Sequence, residues 1–240
     1  MSNPTAAMLV IGDEILSGRT RDSNTNYLAK ALTDVGIDLK EARVVSDDQP
    51  AIVAAVKALS DAYDHVFTSG GIGPTHDDIT ADAIGAAFGA HVGVRDDARA
   101  LLQAHYDRAG TTLNEARLRM ARIPDGAALI DNPVSTAPGF TIKNVNVMAG
   151  VPSVFEAMVA SVISKLAHGA PLLSENWRIM RGEGDVAAPL AQIAADHPDL
   201  SLGSYPFQKD GAYGTNIVIR GTDQARVSAA MAQLQALFPA

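Results

Sequence analysis

The stretch that most constrains this chain runs His65-Val66-Phe67-Thr68-Ser69-Gly70-Gly71-Ile72-Gly73-Pro74-Thr75-His76-Asp77-Asp78-Ile79-Thr80. Its first residues are short, apolar and β-branched, the pattern of a buried strand. Gly70, Gly71 and Gly73 follow, where a side chain would block close backbone approach or forbid a positive φ. Asp78 and Thr80 then stand where an N-cap belongs, ahead of the helical spacing Ala83, Ile84, Ala87, Phe88. A strand, a glycine loop and a helix N-terminus make an anion-binding arrangement, because unpaired N–H groups converge on one spot. Two aspartates in such a loop repel a phosphate unless a cation lies between them. The economical reading is a phosphate held partly through a divalent metal, with Asp78 and Asp77 on the metal side. The plain alternative is a tight turn followed by a helix capped by Asp78.

Around this stretch the pattern is β-α-β-α-β-α. Ala6 to Ile11 and Ile37 to Val45 read as strands, and helices follow on Tyr27, Leu28, Ala31, Leu32 and then on Ile52, Val53, Val56, Leu59. Such an order predicts a parallel sheet with helices on both faces. Parallel strands bring the segments after them to one edge, so Asp13-Glu14, Asp47-Asp48 and Asp77-Asp78 converge where open α/β sheets bind ligands. Each pair alone is also explained as a helix cap or a solvated turn. Gly150-Val151-Pro152-Ser153 repeats the design of strand, glycine and helix N-terminus and offers a second anion-facing surface.

The fold class expected is α/β, a three-layer α/β/α domain with a mostly parallel sheet, followed by a small C-terminal α+β domain. His168-Gly169-Ala170-Pro171 reads as the boundary, giving domains 1–172 and 173–240. With no cysteine, disulfides and thiolate metal sites are excluded, so any metal takes oxygen or imidazole ligands. A net charge of −8 without a basic run argues against nucleic-acid binding. The N-terminal residues lack the charged and apolar regions of a signal peptide, and no apolar run is long enough to span a membrane. The expectation is a soluble cytoplasmic protein without a membrane partner.

Gly12-Asp13-Glu14-Ile15-Leu16, Asp22-Ser23-Asn24-Thr25-Asn26, Asp47-Asp48, the loop from Gly70 to Thr80, Asn132, Thr136-Ala137-Pro138-Gly139-Phe140 and Gly150-Val151-Pro152 together resemble the molybdopterin-binding-like superfamily of molybdenum-cofactor biosynthesis. The likeness is nearest to the N-terminal domain of the competence/damage-inducible protein A group and to the molybdopterin-binding-like domain of FAD synthases. It includes Gly203-Ser204-Tyr205-Pro206 for the latter. Ala149 and Val154 depart from the competence-protein pattern, which has proline and glutamate there.

The resemblance implies a homo-oligomer, dimer or trimer, acting on a nucleotide or pterin phosphate with a divalent metal (Mg, Mn or Co). It implies Asp47 and Asp78 as catalytic metal ligands with Asp13 beside them, and Thr75 or His76 orienting water or a leaving phosphate. Gly70, Gly71, Gly73, Thr75, Asn26, Thr136, Gly139 and Gly150 are the implied substrate and phosphate contacts. The implied activity is a metal-dependent nucleotide pyrophosphatase acting on a dinucleotide such as FAD or ADP-ribose. The alternatives are a molybdopterin-binding protein or adenylyltransferase of molybdenum-cofactor biosynthesis, or a non-catalytic nucleotide- or pterin-binding module.

Overall fold

A computed structural model describes residues 3–238. The chain divides into two compact units, 1–169 and 170–240, the outermost two residues at each end lying outside the described part. In the first unit the elements run β1 (Thr5–Ile11), α1 (Asp13–Leu16), α2 (Asn24–Asp34), β2 (Asp38–Val45), α3 (Gln49–Ala62), β3 (His65–Ser69), α4 (Thr80–Phe88), β4 (Val92–Val94), α5 (Asp96–Arg108) and α6 (Glu115–Leu118). A 3-10 turn (Arg119–Ala121) leads into β5 (Arg122–Pro124), β6 (Ala128–Ile130), β7 (Gly139–Ile142), β8 (Val145–Met148) and α7 (Pro152–Ile163).

Six strands form one sheet in the order β2-β1-β3-β8-β7-β6. β2, β1, β3 and β8 are mutually parallel, while β7 pairs antiparallel with both β8 and β6, so β7 alone runs against the rest. β1 shows why the domain has three layers. Its residues alternate between two cores: Ala7, Leu9 and Ile11 join a cluster with Ile52, Val56 and Ile84, whereas Ala6, Met8 and Val10 join one with Leu28, Leu32, Phe155 and Met158. The period of two in a strand thus feeds α3 and α4 on one face and α2 and α7 on the other. The short antiparallel pair β4–β5 and the one-turn α1 had no counterpart in the sequence pattern.

From β1 the chain goes to β2 on one side and then crosses to β3 on the other. That reversal opens a crevice at the carboxyl ends of β1 and β3, the usual ligand position in an open α/β sheet.

The second unit is β9 (Leu173–Ile179), α8 (Glu183–Asp196), β10 (Ser201–Lys209), β11 (Ala212–Gly221) and α9 (Gln224–Ala236), an antiparallel sheet in the order β10-β11-β9. Its own core gathers Val186, Ile193, Ile217, Ile219, Val227 and Leu234, with Trp177 packed against it. Asp210 (φ 51°) and Gly211 (φ 80°) form the two-residue hairpin turn between β10 and β11. No helix among the described residues is long and apolar enough to cross a membrane.

Candidate functional site

A cleft of about 530 Å³ opens at the carboxyl ends of β1, β3 and β8. Gly70, Gly71, Gly73, Asp77 and Asp78 line it from the loop after β3, Glu14 from α1, Asp47 from the loop after β2, and Gly150, Val151 and Pro152 from the start of α7. Met120, Asn132, Ser135 and Ala137 complete it.

The base of the glycine loop is zipped shut. Gly70 has φ 108°, which only glycine adopts without severe strain, and a Cβ there would sit 2.2 Å from the Ile11 carbonyl oxygen. Gly71 has φ 69°, and its Cβ would sit 2.1 Å from the Thr80 hydroxyl oxygen. The fully buried Thr80 donates its hydroxyl to the Gly70 carbonyl (3.0 Å) and its N–H to the Gly71 carbonyl (3.0 Å). Residues 71–79 are therefore an excursion held at its neck.

Within the excursion the Asp78 carboxylate takes one oxygen, Oδ2, to the Thr75 N–H (2.7 Å) and hydroxyl (2.6 Å). This corrects the expectation that Asp78 caps the next helix: the N-cap of α4 is Ile79, without a side-chain bond. Arg119 closes the turn from outside, donating Nε to the Thr75 carbonyl (3.1 Å) and an Nη to the Asp78 carbonyl (3.3 Å). A Cβ on Gly73 would meet the Asp78 carboxylate at 2.7 Å, and one on Gly12 would meet the Glu14 carboxylate at 2.6 Å. Both glycines make room for an acid.

The acidic pairs divide their labour. Asp48 caps α3 by accepting from the Ala51 N–H (3.0 Å), while Asp47 turns to the cleft and accepts from the Asp13 N–H through Oδ2 (2.9 Å). Burial pushes the Asp47 carboxyl above its ordinary value; the Asp13 N–H opposes this, and the charges of Asp13, Glu14 and Asp77 add to the rise. The Asp13 side chain is exposed and outside the cleft lining, so its partner Glu14 takes the place expected of it.

Other expected contacts are also elsewhere. The Gly70 N–H donates to the Met148 carbonyl (3.1 Å) and is not free for a phosphate, whereas the N–H groups of Gly71 and Gly73 have no acceptor among the described residues. The Thr75 hydroxyl is spent on Asp78, and the His76 side chain is 98% exposed. Asn26 is exposed, and Asn24 in the same stretch is the buried one. The Thr136 hydroxyl pairs with His105 Nδ1 (3.1 Å). Gly139 is needed for packing, since a Cβ would sit 2.4 Å from the Val147 carbonyl oxygen.

Whether this site suits a divalent cation rests on its donors. Among the described residues no three acidic or imidazole groups form a metal-holding cluster. Yet Glu14, Asp47 and Asp78 pair with no cationic side chain among the described residues, while Asp38, Asp82, Asp97 and Asp199 all do. Each of Asp47 and Asp78 has one oxygen anchored by an N–H and the other without a partner among the described residues. One or two carboxylates completed by phosphate oxygens and water is how magnesium is usually held. The residues fit a cation shared with a ligand and do not fit one caged by protein alone.

Residues 7–168 match the family described as "probable molybdopterin binding domain", and residues 171–240 match "FAD synthase, middle domain". A protein of Archaeoglobus fulgidus is 31% identical over 96% of both chains. A probable FAD synthase of Caenorhabditis elegans is 32% identical over 98% of this chain, which spans about half (50%) of that protein's length. Among solved structures, the protein CinA from Thermoplasma acidophilum, titled as of unknown function, superposes with a TM-score of 0.62 at 34% identity, covering 68% of this chain and 97% of its own.

Proposed function

The chain belongs to the molybdopterin-binding-domain family, and from that premise we propose that it is a metal-dependent nucleotide pyrophosphatase cleaving the diphosphate link of a dinucleotide such as FAD or ADP-ribose. The observation that carries the reading is the cleft's pairing of unneutralised carboxylates with free glycine N–H groups. Acid alone would repel phosphate, and N–H groups alone would need no acid. Together they suit a phosphate chain that arrives with a cation.

Asp47 and Asp78 would hold the cation through their free oxygens. When bound it neutralises phosphate charge and polarises the phosphorus–oxygen bond. The N–H groups of Gly71 and Gly73 donate to phosphate oxygens, and the start of α7 adds the positive end of a helix dipole. Arg119 and the Asp78–Thr75 bonds keep the acidic turn in place before the ligand arrives, which is the source of electrostatic catalysis. The Glu14 carboxylate makes no hydrogen bond among the described residues and is the one left to accept a proton from attacking water. Water adds to one phosphorus, the bridging bond breaks, and two monophosphates leave.

The family's description, which names molybdopterin binding, is the starting point of a second reading, in which the same cleft binds molybdopterin and transfers adenylyl to its phosphate. Incubation with FAD, ADP-ribose and NADH in Mg²⁺, Mn²⁺ or Co²⁺ separates the two. The expected result is metal-dependent release of AMP and the partner monophosphate. ATP-dependent adenylylation of molybdopterin without dinucleotide cleavage selects the second reading, and binding without either reaction leaves a non-catalytic module.

A further inference from the structure

Beside the cleft lies a smaller chamber of about 60 Å³, continuous with it through the shared residues Glu14, Gly70 and Gly150. Asn24 and Ser69, which do not line the large cleft, line this one together with Asp22. Both are polar and deeply buried, Asn24 at 6% and Ser69 at 3% exposure.

Their hydrogen bonds are partly spent, and the pattern of what remains is informative. Asn24 Nδ2 donates to the Gly150 carbonyl (2.8 Å) and to Ser69 Oγ (2.7 Å). A carbonyl can only accept, so the amide nitrogen must face Gly150 and the orientation of the amide is fixed. Both amide hydrogens are then used, and Oδ1 has no partner among the described residues. That oxygen is not among the sealed orphan atoms of the fold, such as Thr68 Oγ1, so it reaches open space. Asn24 is among the residues that line the chamber. Ser69 Oγ accepts from Asn24, which leaves its own proton to donate. Asp22 commits Oδ1 to the N–H groups of Asn24 (2.9 Å) and Thr25 (3.2 Å), leaving Oδ2 free.

The chamber is thus lined by the hydroxyls of Ser69, Thr20 and Ser23 and by several acceptors. Two carboxylates, Glu14 and Asp22, face one exposed cation, Arg21, so a phosphate is repelled and a neutral group bearing hydrogen-bond donors is favoured. Its volume is small beside that of the main cleft, about 60 Å³ against about 530 Å³, so it suits a small polar group. We propose that this chamber is a sugar-diol subsite, in which Asn24 Oδ1 and Asp22 accept from vicinal hydroxyls of the ligand's ribose and Ser69 donates to one of them. The proposal rests on the nucleotide reading of the main cleft and names the part of the substrate that is recognised beside the phosphates.

The test is calorimetric binding of ADP, 2′-deoxy-ADP, 3′-deoxy-ADP and inorganic phosphate to the full chain with Mg²⁺, run beside a cleavage assay of ADP-ribose, FAD and NADH. ADP should bind about tenfold tighter than either deoxy compound, because a missing hydroxyl leaves buried groups unpaired. Ser69→Ala keeps the Asn24–Gly150 bond but leaves the other Asn24 N–H unpaired, so its melting temperature should fall modestly while the fold is retained and the preference drops below about threefold. If that variant does not fold, Asp22→Asn, which retains the oxygen that caps Asn24 and Thr25, gives the same readout. Equal binding of ADP and its deoxy forms overturns the proposal, as does a folded Ser69→Ala that keeps the full preference. Loss of phosphate affinity in Ser69→Ala without a ribose preference also overturns it, because the chamber would then hold phosphate. A diol preference without cleavage of ADP-ribose, FAD or NADH refutes the pyrophosphatase reading alone, cleavage without preference refutes the subsite alone, and no nucleotide binding refutes both.

Discussion

After β3 the chain spends residues 70–79 before its helix begins, whereas after β8 it spends only residues 149–151. Both junctions carry a glycine within two residues of the strand end, and the two glycines lie close together: a Cβ on Gly150 would sit 3.3 Å from Gly70 Cα. They nevertheless do different things. The short junction delivers the first turn of α7 directly to the cleft, with Pro152 at a position whose missing N–H costs nothing. The long one closes its neck through Thr80 and uses the extra residues to build an acidic turn. A glycine before a helix is therefore two devices. The short one presents a helix N-terminus, and the long one is a scaffold that carries carboxylates, with the Gly71 and Gly73 N–H groups, into the same space.

The largest effect should come from breaking the neck of the long junction. Gly70→Ala forces a Cβ onto the Ile11 carbonyl at a φ that alanine does not reach. A loss of about 4 kcal/mol or more is expected, seen as a fall of about 10 °C or more in the melting temperature of the first unit. Gly150→Ala is the control from the short junction. Its φ is ordinary and its contact only tight, so stability should move by about 1 kcal/mol or less while nucleotide affinity falls. Equal destabilisation by the two substitutions would erase the distinction.

The acidic turn is tested next. Asp78→Asn keeps an oxygen to accept from Thr75 and removes the charge, so melting should change little while turnover falls by about two to three orders of magnitude. Arg119→Met removes the outside clamp and leaves the carboxylates, so a smaller loss is expected, of about tenfold, borne by kcat more than KM. A larger loss from Arg119→Met than from Asp78→Asn would mean that the arginine itself meets the ligand.

The smallest effect is one of stability against pH. The Asp47 carboxyl is raised in the folded chain, first by burial, so the folded state holds its proton more tightly than the unfolded state. Stability then falls as pH rises from the ordinary carboxylate value through the raised one, and the penalty is fully present at neutral pH. Asp47→Asn should melt slightly higher than wild type at neutral pH without metal. The two should converge once the pH is below the ordinary carboxylate range. Identical melting curves at both pH values would show that Asp47 carries no such penalty.

Much of this arrangement was legible in the sequence because a parallel sheet fixes where strand ends go. Asp47, Asp78, Gly70 and Gly150 reach one cleft for that reason alone. What was not legible depends on single-residue offsets. Asn24 and Asn26 are two residues apart, and on a helix that spacing puts them on different faces, so which one turns inward follows from where α2 starts. Glu14 rather than Asp13 lines the cleft because the one-turn α1 begins at Asp13, and no periodic pattern announces so short a helix. The His76 side chain stands in water beside the turn built by Asp78 and Thr75, a placement set by hydrogen bonds that no spacing rule contains. The Gly70 N–H is lost to the Met148 carbonyl through a strand pairing between segments far apart in the chain.

The central claim is that the cleft holds a cation only together with a phosphate chain, and calorimetry tests it most directly. Mn²⁺ should be titrated into the full chain alone and into the chain saturated with ADP, for wild type and Asp78→Asn. The account predicts weak Mn²⁺ binding to the free protein, binding at least about tenfold tighter with ADP present, a coupling of the usual size between linked ligands, and loss of that gain in Asp78→Asn. Equally tight Mn²⁺ binding with and without ADP, or a gain that survives in Asp78→Asn, would contradict it.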